Sequence, residues 1–265
     1  MRYGVLADVH GNLFALRAAL EALGAEGVDA YLCAGDLVGF GPHPNECVET
    51  VAELGATCVA GNHELIALGA LSDERCSAQA RDSQRWTRGV LRDDVRAWLR
   101  RLPTTVSLPG LVMAHGSLDD PEEYVKRGAQ AARQLRQLAA EHPSARTLVL
   151  GHTHRSWLYR EGSGTVPVPR DGAVSLEPSR RHLLNPGSVG QSRQRERVPR
   201  ARFAVLDPER SHARFHAIHY DVAACRGALR RHGLPADSVH HRPPLAATVA
   251  HRAEAAVRRA VRPST

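Results

Sequence analysis

The first part of the chain alternates short apolar runs with longer amphipathic segments. Continuous apolar runs at residues 2–7, 30–34 and 57–60 have the length of buried strands. Leucines at helical spacing after the first run predict a helix that ends near two glycines. Residues 45–54 predict a second helix, with Asn45 as its cap. This β-α-β-α-β order predicts parallel strands joined by right-handed crossovers.

The remaining chain predicts helices first and then another set of strands. Residues 63–102 predict mainly helices, and apolar runs at 111–114 and 147–150 predict further strands. From Ser156 onward, short alternating segments are typical of antiparallel strands, and we expect them to form a second sheet. One more amphipathic helix is predicted at 221–233.

Residues able to bind a metal follow five of these apolar runs. They are Asp8 and His10, Asp36, Asn62 with His63, His115, and His152 with His154. Ligands bind at the carboxyl ends of parallel strands, so we expect these side chains to converge along one edge of a sheet. Carboxylate, amide and imidazole groups suit hard-to-borderline divalent ions, and two such ions about 3.5–4 Å apart can clamp a phosphoryl displacement. The set therefore predicts a two-metal site for phosphoryl chemistry.

Each residue of the set has a structural alternative when it is taken singly. Asp36 could cap the loop that follows it, and Asn62 could cap a helix. His152 and His154 could equally be core or surface histidines, and His63 a polar residue that starts a helix. Five separate strand ends that each present a suitable ligand would be a large coincidence. We therefore favour one shared metal site.

Composition limits the number of domains and the class of protein. The chain has 265 residues, enough for one α/β domain, which we place at residues 1–236. Residues 237–265 form a tail rich in Arg, His and Ala, for which a surface helix and partial disorder both stay open. Five cysteines without a C-x-x-C pair predict reduced thiols. No signal peptide and no membrane-spanning apolar run is found, so a soluble, cytoplasmic protein is expected.

Charge adds little to this picture. The formal net charge is +7, and 35 residues are Lys or Arg, with Lys126 the only lysine. Such use of arginine is typical of a coding bias, although positive charge still steers phosphate-bearing ligands toward the protein. Basic residues do not form blocks with interspersed aromatics, which disfavours a nucleic-acid partner. A homo-oligomer stays open.

Six motifs together resemble a known family. They are DVHGN at 8–12, GDLVGFGPHP at 35–44, GNHE at 61–64, AHGS at 114–117, GHTH at 151–154 and NPGSVGQ at 185–191. In this order and spacing they resemble the calcineurin-like metallophosphoesterase superfamily, in particular its small bacterial and archaeal phosphodiesterase branch. The resemblance runs from Met1 to about Leu234. It implies an α/β fold, a four-layer α/β/β/α sandwich of two mixed sheets flanked by helices.

The resemblance also implies a role for each residue of the set. One divalent ion is bound by Asp8, His10 and His154, the other by Asn62, His115 and His152, and both by the bridging Asp36. A water or hydroxide between the ions is the implied nucleophile, because metal binding lowers its pKa. His63 is expected to contact a phosphoryl oxygen and to protonate or stabilise the leaving group. Mn²⁺ is the preferred metal, with iron, zinc and nickel as alternatives.

Residues beside the ligands are expected to support them. Gly11 lets the loop pass close to the ions, and Asn12 is expected to support a ligand or contact the substrate. The NPGSVG segment either orients the metal-binding histidines through its amides or serves only as a tight connection between strands.

Departures from the family pattern suggest the substrate. Protein Ser/Thr phosphatases of the superfamily have one arginine before GNHE and another after the bridging Asp. Here Ala60 and the GDLVGFGP loop take those places. Hydrolysis of small, nucleotide-type phosphodiesters is therefore favoured, with dinucleoside polyphosphates, phosphomonoesters and phosphoproteins as alternatives. A non-enzymatic interaction scaffold should have lost ligands, and all seven are present.

Overall fold

Two six-stranded sheets pack face to face in the computed structural model, which describes residues 1–241. The strands are β1 Tyr3–Leu6, β2 Ala30–Cys33, β3 Thr57–Cys58, β4 Thr105–Leu108, β5 Leu111–Ala114, β6 Thr147–Val149, β7 Ser156–Arg160, β8 Gly164–Val166, β9 Gly172–Ser175, β10 His182–Pro186, β11 Ala201–Asp207 and β12 His212–Ile218. The helices are α1 Leu13–Glu26, α2 Pro44–Glu53, α3 Asn62–Ala67, α4 Ala78–Val90, α5 Asp93–Leu99, α6 Gly128–Glu141 and α7 Val222–Arg231.

Both sheets contain parallel and antiparallel neighbours. The strand order is β3-β2-β1-β11-β12-β9 in the first sheet and β4-β5-β6-β10-β7-β8 in the second. Parallel pairing joins β1 to β2 and β2 to β3, and it joins β6 to both β5 and β10. Tyr3 stands opposite Ala30, and Leu32 opposite Thr57, so the predicted β-α-β-α-β start is confirmed.

The prediction that the strands after Ser156 belong to a second sheet holds for β7, β8 and β10 but is wrong for β9, β11 and β12, which lie in the first sheet. β11 pairs with β1, with Tyr3 opposite Leu206, and brings β12 and β9 into the first sheet. β10 pairs with β6, and β7 pairs with β10, so these strands extend the sheet that β5 and β6 begin. Alternation identifies a strand, but the choice of neighbour depends on faces buried far away in sequence.

Alternate side chains of each strand face different layers. Val5 of β1, Met113 of β5 and Val149 of β6 lie in one buried cluster between the sheets. On the outer faces, Leu6 packs with α1 and α2, and Val112 packs with α6. This period of two is the geometry of a strand buried on both faces. The predicted four-layer α/β/β/α sandwich is thereby confirmed.

Two helix starts differ from the predicted ones. α3 begins at Asn62, so a predicted ligand lies in its first turn. α2 begins at Pro44 with His43 in the cap position, and Asn45 does not cap it. Instead, the Asn45 amide donates to the carbonyl of Val90 and accepts from the N–H of Arg92, which ties α2 to the α4–α5 connection. Proline is favoured at a helix start because its missing N–H would have no partner there.

All five cysteines are free, as predicted, and four of them are buried. Among residues 1–241, no helix combines the length and hydrophobicity needed to cross a bilayer. The cellular compartment stays a prediction.

The C-terminal part of the described chain packs onto the domain. Val239 lies in a buried cluster with residues of α7, and its carbonyl accepts the N–H of Ser192. Residues 242–265, most of the predicted tail, lie outside the described residues. The domain boundary at residue 236 stays a prediction.

Candidate metal centre

The predicted ligands meet at the carboxyl ends of strands from both sheets. The expectation that a single sheet holds all of them is therefore wrong. Asp8, Asp36 and Asn62 follow β1, β2 and β3 in the first sheet, whereas His115 and His152 follow β5 and β6 in the second. The N–H of His152 donates to Oδ1 of Asp8 over 2.9 Å, which joins the two sheets at the site. Spacing along the chain does not reveal which sheet a strand enters.

Backbone strain is concentrated at the ligands. Five of them have φ between 49° and 63°, in the left-handed region: Asp8, His10, Asp36, His152 and His154. Asp and His tolerate this region better than most residues, but it still costs roughly 1–3 kcal/mol for each. The surrounding fold must stabilise these conformations. Strain at convergent polar residues is typical of functional sites.

The ligand atoms form two groups that share one carboxylate. Within each group the atoms lie within 4.8 Å of one another, and the members are Asp8, His10, Asp36 and His154 in the first and Asp36, His115 and His152 in the second. Oδ2 of Asp36 lies 3.6 Å from Nε2 of His10 and 3.2 Å from Nε2 of His115. Oδ1 of Asn62 lies 3.1 Å from the same His115 nitrogen, so this amide joins the second group.

Backbone carbonyls fix the four candidate imidazole ligands. One ring nitrogen of each lies 2.6 to 3.1 Å from a carbonyl oxygen, and the pairs are His10 with Val38, His115 with Ala34, His152 with Glu122 and His154 with Gln191. A carbonyl only accepts, so that nitrogen must donate its proton. In His10, His115 and His154 the other nitrogen, Nε2, lies 3.2 to 3.6 Å from a candidate carboxylate ligand. Histidines in metal sites are commonly oriented by such a second hydrogen bond.

In the first group of ligands, the lone pairs of two imidazole nitrogens face each other, and a cation between them would be stabilising. Nε2 of His10 and Nε2 of His154 lie 3.1 Å apart, and both rings donate through Nδ1, so two lone pairs face each other. Burial lowers the pKa of both rings well below the usual value, which keeps them neutral. Oδ2 of Asp8 is buried without a hydrogen-bond partner. A divalent ion would relieve both costs, so these residues fit a metal ion.

A proton supplies part of the compensating charge in the metal-free protein. Burial raises the pKa of Asp8 to about 7; nearby His115 opposes the shift and Asp36 adds to it. Burial also acts to raise the pKa of Asp36, but the positive charge of His115 and, when it is protonated, that of His63 hold this pKa well below its usual range. For His115, burial is outweighed by the charge and hydrogen bond of Asp36, and its pKa rises to about 9. A bound divalent ion would displace the protons of Asp8 and of His115 Nε2.

Glu64 supports the site and was missed from the sequence. Its buried carboxylate accepts the N–H groups of Asp36, Val38 and Gly61 at 2.8 to 3.0 Å, which joins the loop after β2 to the start of α3. Burial and the charge of Asp36 raise the pKa of Glu64 to about 7, although the bonds from Val38 and Gly61 act to lower it. Its place directly after Asn62 and His63 is the signal that could have identified it.

Gln84 of α4 was also missed, and it orients His63. The His63 ring lies beside His10 with centroids 4.7 Å apart, and its Nδ1 is 2.6 Å from Nε2 of Gln84. The same Gln84 nitrogen lies 3.3 Å from the carbonyl of His63, which sets the orientation of the amide. Nδ1 therefore accepts, and a neutral His63 has its proton on Nε2. Burial lowers the pKa of His63. The sequence signal that could have identified Gln84 is its place as a polar residue on the buried face of an amphipathic helix.

Gly11 and Asn12 shape the loop after β1. Gly11 has φ of 58°, and a Cβ atom there would lie 2.8 Å from the carbonyl oxygen of Gly41. Two loops can approach this closely only with glycine at that position. Asn12 caps α1 by accepting the N–H of Ala15, and its amide donates to the carbonyl of Gly190. Its side chain serves the scaffold, and a contact with substrate stays a prediction.

Segment 185–191 supports the ligands, but not through amides donated to histidines. The carbonyl of Gln191 accepts from His154 at 2.7 Å. The Ser188 hydroxyl and the Gly190 amide both donate to the carbonyl of Asp8, at 2.8 and 3.0 Å. The segment thus fixes one imidazole and the backbone of one carboxylate ligand, beyond connecting two strands.

Buried Asp and His side chains, grouped where strands of two stacked sheets end, form a candidate metal site. The family profile described as calcineurin-like phosphoesterase matches residues 1–156. That stretch is more than half of the chain, and the chain belongs to this family.

Similar proteins come from bacteria and archaea. The crystal structure of a metallophosphoesterase from Sphaerobacter thermophilus is 33% identical, with a TM-score of 0.77 and coverage of 90% of this chain and 97% of that one. A hypothetical protein from Pyrococcus horikoshii shares the fold, with a TM-score of 0.72, 20% identity and coverage of 90% and 96%. An uncharacterized protein from Methanocaldococcus jannaschii is 26% identical over 235 residues, 87% of this chain and 93% of that protein. The protein is thus a phosphoester hydrolase of the calcineurin-like family.

Proposed function

We propose that the protein hydrolyses small, nucleotide-type phosphodiesters at a centre of two divalent ions. The observation that carries this proposal is the position of Asp36 Oδ2, which lies 3.6 Å from Nε2 of His10 and 3.2 Å from Nε2 of His115. A carboxylate oxygen between two groups of ligands suits a bridge that offsets the repulsion of two cations. Manganese is the favoured metal, with iron, zinc and nickel as alternatives for the same N and O donors.

Each ion has its own ligands in this proposal. One is held by Asp8, His10 and His154, the other by Asn62, His115 and His152, with Asp36 common to both. When bound, the ions supply Lewis-acid activation of the phosphoryl group and of the attacking water. The chain contributes ligands whose rings are fixed by carbonyls and whose backbones are fixed by the fold. Burial keeps their electrostatic interactions strong.

His63 assists the leaving group. Gln84 donates to Nδ1, which leaves the proton on Nε2. That N–H donates a hydrogen bond to the leaving oxygen as negative charge develops on it, and so favours its departure. The centroid of the His63 ring lies 4.7 Å from that of His10, so this donor is next to the first group of ligands.

The preference for a diester rests on two segments next to the ligands that contain no arginine. A phosphodiester has a smaller negative charge than a phosphomonoester dianion and needs fewer cationic partners. The two segments that hold arginines in protein phosphatases contain none here, with Ala60 before GNHE and only uncharged residues and His43 from Leu37 to Pro44. Phosphomonoesters and dinucleoside polyphosphates are the alternatives to be separated by experiment.

The test uses the 265-residue chain, treated with a chelator and reloaded with Mn²⁺. Release of p-nitrophenol is measured from bis(p-nitrophenyl) phosphate and from p-nitrophenyl phosphate. We expect turnover only after metal is added, a higher kcat/KM for the diester, and about two bound ions per chain. No turnover with any of the candidate metals would refute the enzymatic proposal, and faster turnover of the monoester would refute the diester preference.

A substitution tests the part assigned to His63. His63→Ala should lower kcat for the diester about 10²–10⁴-fold, the usual contribution of a proton-transfer group, with metal content unchanged. His219→Ala, at an exposed position, is the matched control and should leave both quantities unchanged. An unchanged kcat in His63→Ala would remove this residue from the mechanism.

A further inference from the structure

An aromatic ring separates one candidate metal ligand from the only lysine of the chain. The Tyr124 ring stacks on His152, with centroids 4.0 Å apart and an interplanar angle of 28°. Nζ of Lys126 lies 3.7 Å from the centre of the same tyrosine ring. Two groups this close to one ring centre must occupy opposite faces. The ammonium of Lys126 therefore lies one aromatic ring beyond the ligand cluster.

Arg193 joins this tyrosine to the metal centre. Its Nη1 donates to the hydroxyl of Tyr124 at 3.1 Å, and its Nε and Nη2 donate to Oε1 of Gln191 at 3.3 and 3.2 Å. Gln191 is also the residue whose carbonyl orients His154. After burial, the positive charge of Arg193 is among the causes that lower the pKa of His152 and His154, so its field reaches the ligands.

Among residues 1–241, the cations beside Tyr124 lack carboxylate partners. The two acidic residues before the tyrosine, Glu122 and Glu123, form ion pairs with other arginines. Within residues 1–241, no carboxylate oxygen lies within 4.0 Å of the charged nitrogens of Lys126, Arg155 or Arg193. Partial desolvation and the charges of Arg193 and Arg155 lower the pKa of Lys126. An anion bound here would relieve the repulsion among these cations.

We propose that Tyr124, Lys126 and Arg193, which we call the basic rim, bind a second phosphate group of the substrate, separate from the phosphate that is cleaved. Ammonium and guanidinium groups are strong donors to phosphate oxygens, and Arg193 can offer more than one N–H. Because the rim begins one ring beyond His152, the second phosphate must be joined to the cleaved one through a spacer. A nucleoside with phosphates on both its 3′ and 5′ hydroxyls has this form.

This inference rests on the proposed function for the site of cleavage, but its binding part can be measured without turnover. The probes are thymidine 5′-monophosphate and thymidine 3′,5′-bisphosphate, titrated calorimetrically into metal-free and Mn²⁺-loaded protein. We expect the bisphosphate to bind about 10-fold more tightly than the monophosphate. Lys126→Ala should remove most of that difference, and Lys126→Arg should keep it.

Two chromogenic diesters provide the catalytic part of the test. They are the p-nitrophenyl ester of thymidine 5′-phosphate with and without a 3′-phosphate. The 3′-phosphate should lower KM about 10-fold in the native chain but not in Lys126→Ala, with kcat little changed. Arg136→Ala removes the same charge from the exposed side of α6 and should not alter the difference.

The outcomes separate this inference from the proposed function. Equal affinity for the two nucleotides, or a preference that survives Lys126→Ala, would overturn the role of the basic rim even where both diesters are hydrolysed. Preferential binding of the bisphosphate without hydrolysis of either diester would contradict the proposed function and leave the rim supported.

Discussion

The candidate metal centre and the basic rim are neighbours, yet they are built in opposite ways. In the centre, Asp36 and His115 are buried, and hydrogen bonds to backbone groups fix both side chains. In the rim, Tyr124 is 37% exposed, and Lys126 is held mainly by its contact with that ring. Groups that act on the reacting bond must be rigid and desolvated, whereas groups that select a substrate can stay solvated and adaptable. Substitutions should therefore have large effects in the centre and small ones in the rim.

A large loss of both bound metal and activity is expected from breaking the shared carboxylate. In Asp36→Asn a neutral amide can no longer offset the repulsion of two cations, so metal content should fall to about one ion per chain. We expect kcat for the diester to fall at least about 10²–10³-fold, the loss seen when one electrostatic contact to a transition state is removed. Atomic absorption and steady-state kinetics measure the two quantities. Asp82→Asn, at an exposed position on α4, is the control.

A smaller effect is expected from Gln84, which contacts His63 but no predicted metal ligand. Gln84→Leu should lower kcat about 10-fold. This is the low end of the loss that follows when a residue that orients a functional group is removed. KM and metal content should not change. Nitrogen chemical shifts of His63 should show that the proton is no longer confined to Nε2. Gln79→Leu, on the same helix, is the control, and a native tautomer in Gln84→Leu would contradict the role we assign.

The buried centre should also respond to pH. The pKa of Asp8 is raised to about 7, so in the metal-free protein its stabilising contribution is complete below the unfolded value of 3.8 and is lost as pH rises through about 7. Metal binding must displace this proton and the one that His115 holds up to about pH 9. Metal affinity should therefore rise about 10-fold per pH unit for each proton displaced. The increase in Tm on adding Mn²⁺ should be greater at about pH 8 than at about pH 6. The metal-free protein at each pH is the reference, and equal increments would show that no proton is displaced.

The smallest effect is expected from salt, and it distinguishes the two regions directly. Raising NaCl from about 50 to about 500 mM should reduce the KM advantage of the 3′-phosphorylated substrate about 2- to 3-fold, because exposed charges are screened. Metal content and kcat should change little, since the centre is buried. A parallel loss of kcat would mean that the two regions do not differ as we describe.

Much of the centre could be predicted because its chemistry is local. Asp8, Asp36 and His152 each end a continuous apolar run, and such a run identifies a buried strand without knowledge of its neighbours. Gln84 could not be assigned to His63, because the two residues are 21 positions apart and meet only when α4 packs on α3. The contact of Tyr124 and Lys126 with the centre could not be predicted either, since their relation to His152 depends on the path of an irregular loop.

Residue types and their order were enough to indicate the reaction class, because metal chemistry depends first on which atoms are offered. The tertiary structure was needed for everything that depends on long-range packing. It brings ligands from two sheets to one edge, opposes the lone pairs of His10 and His154, and sets the tautomer of His63. Hydrogen bonds act over about 3 Å, and only the packed chain brings residues distant in sequence within that range.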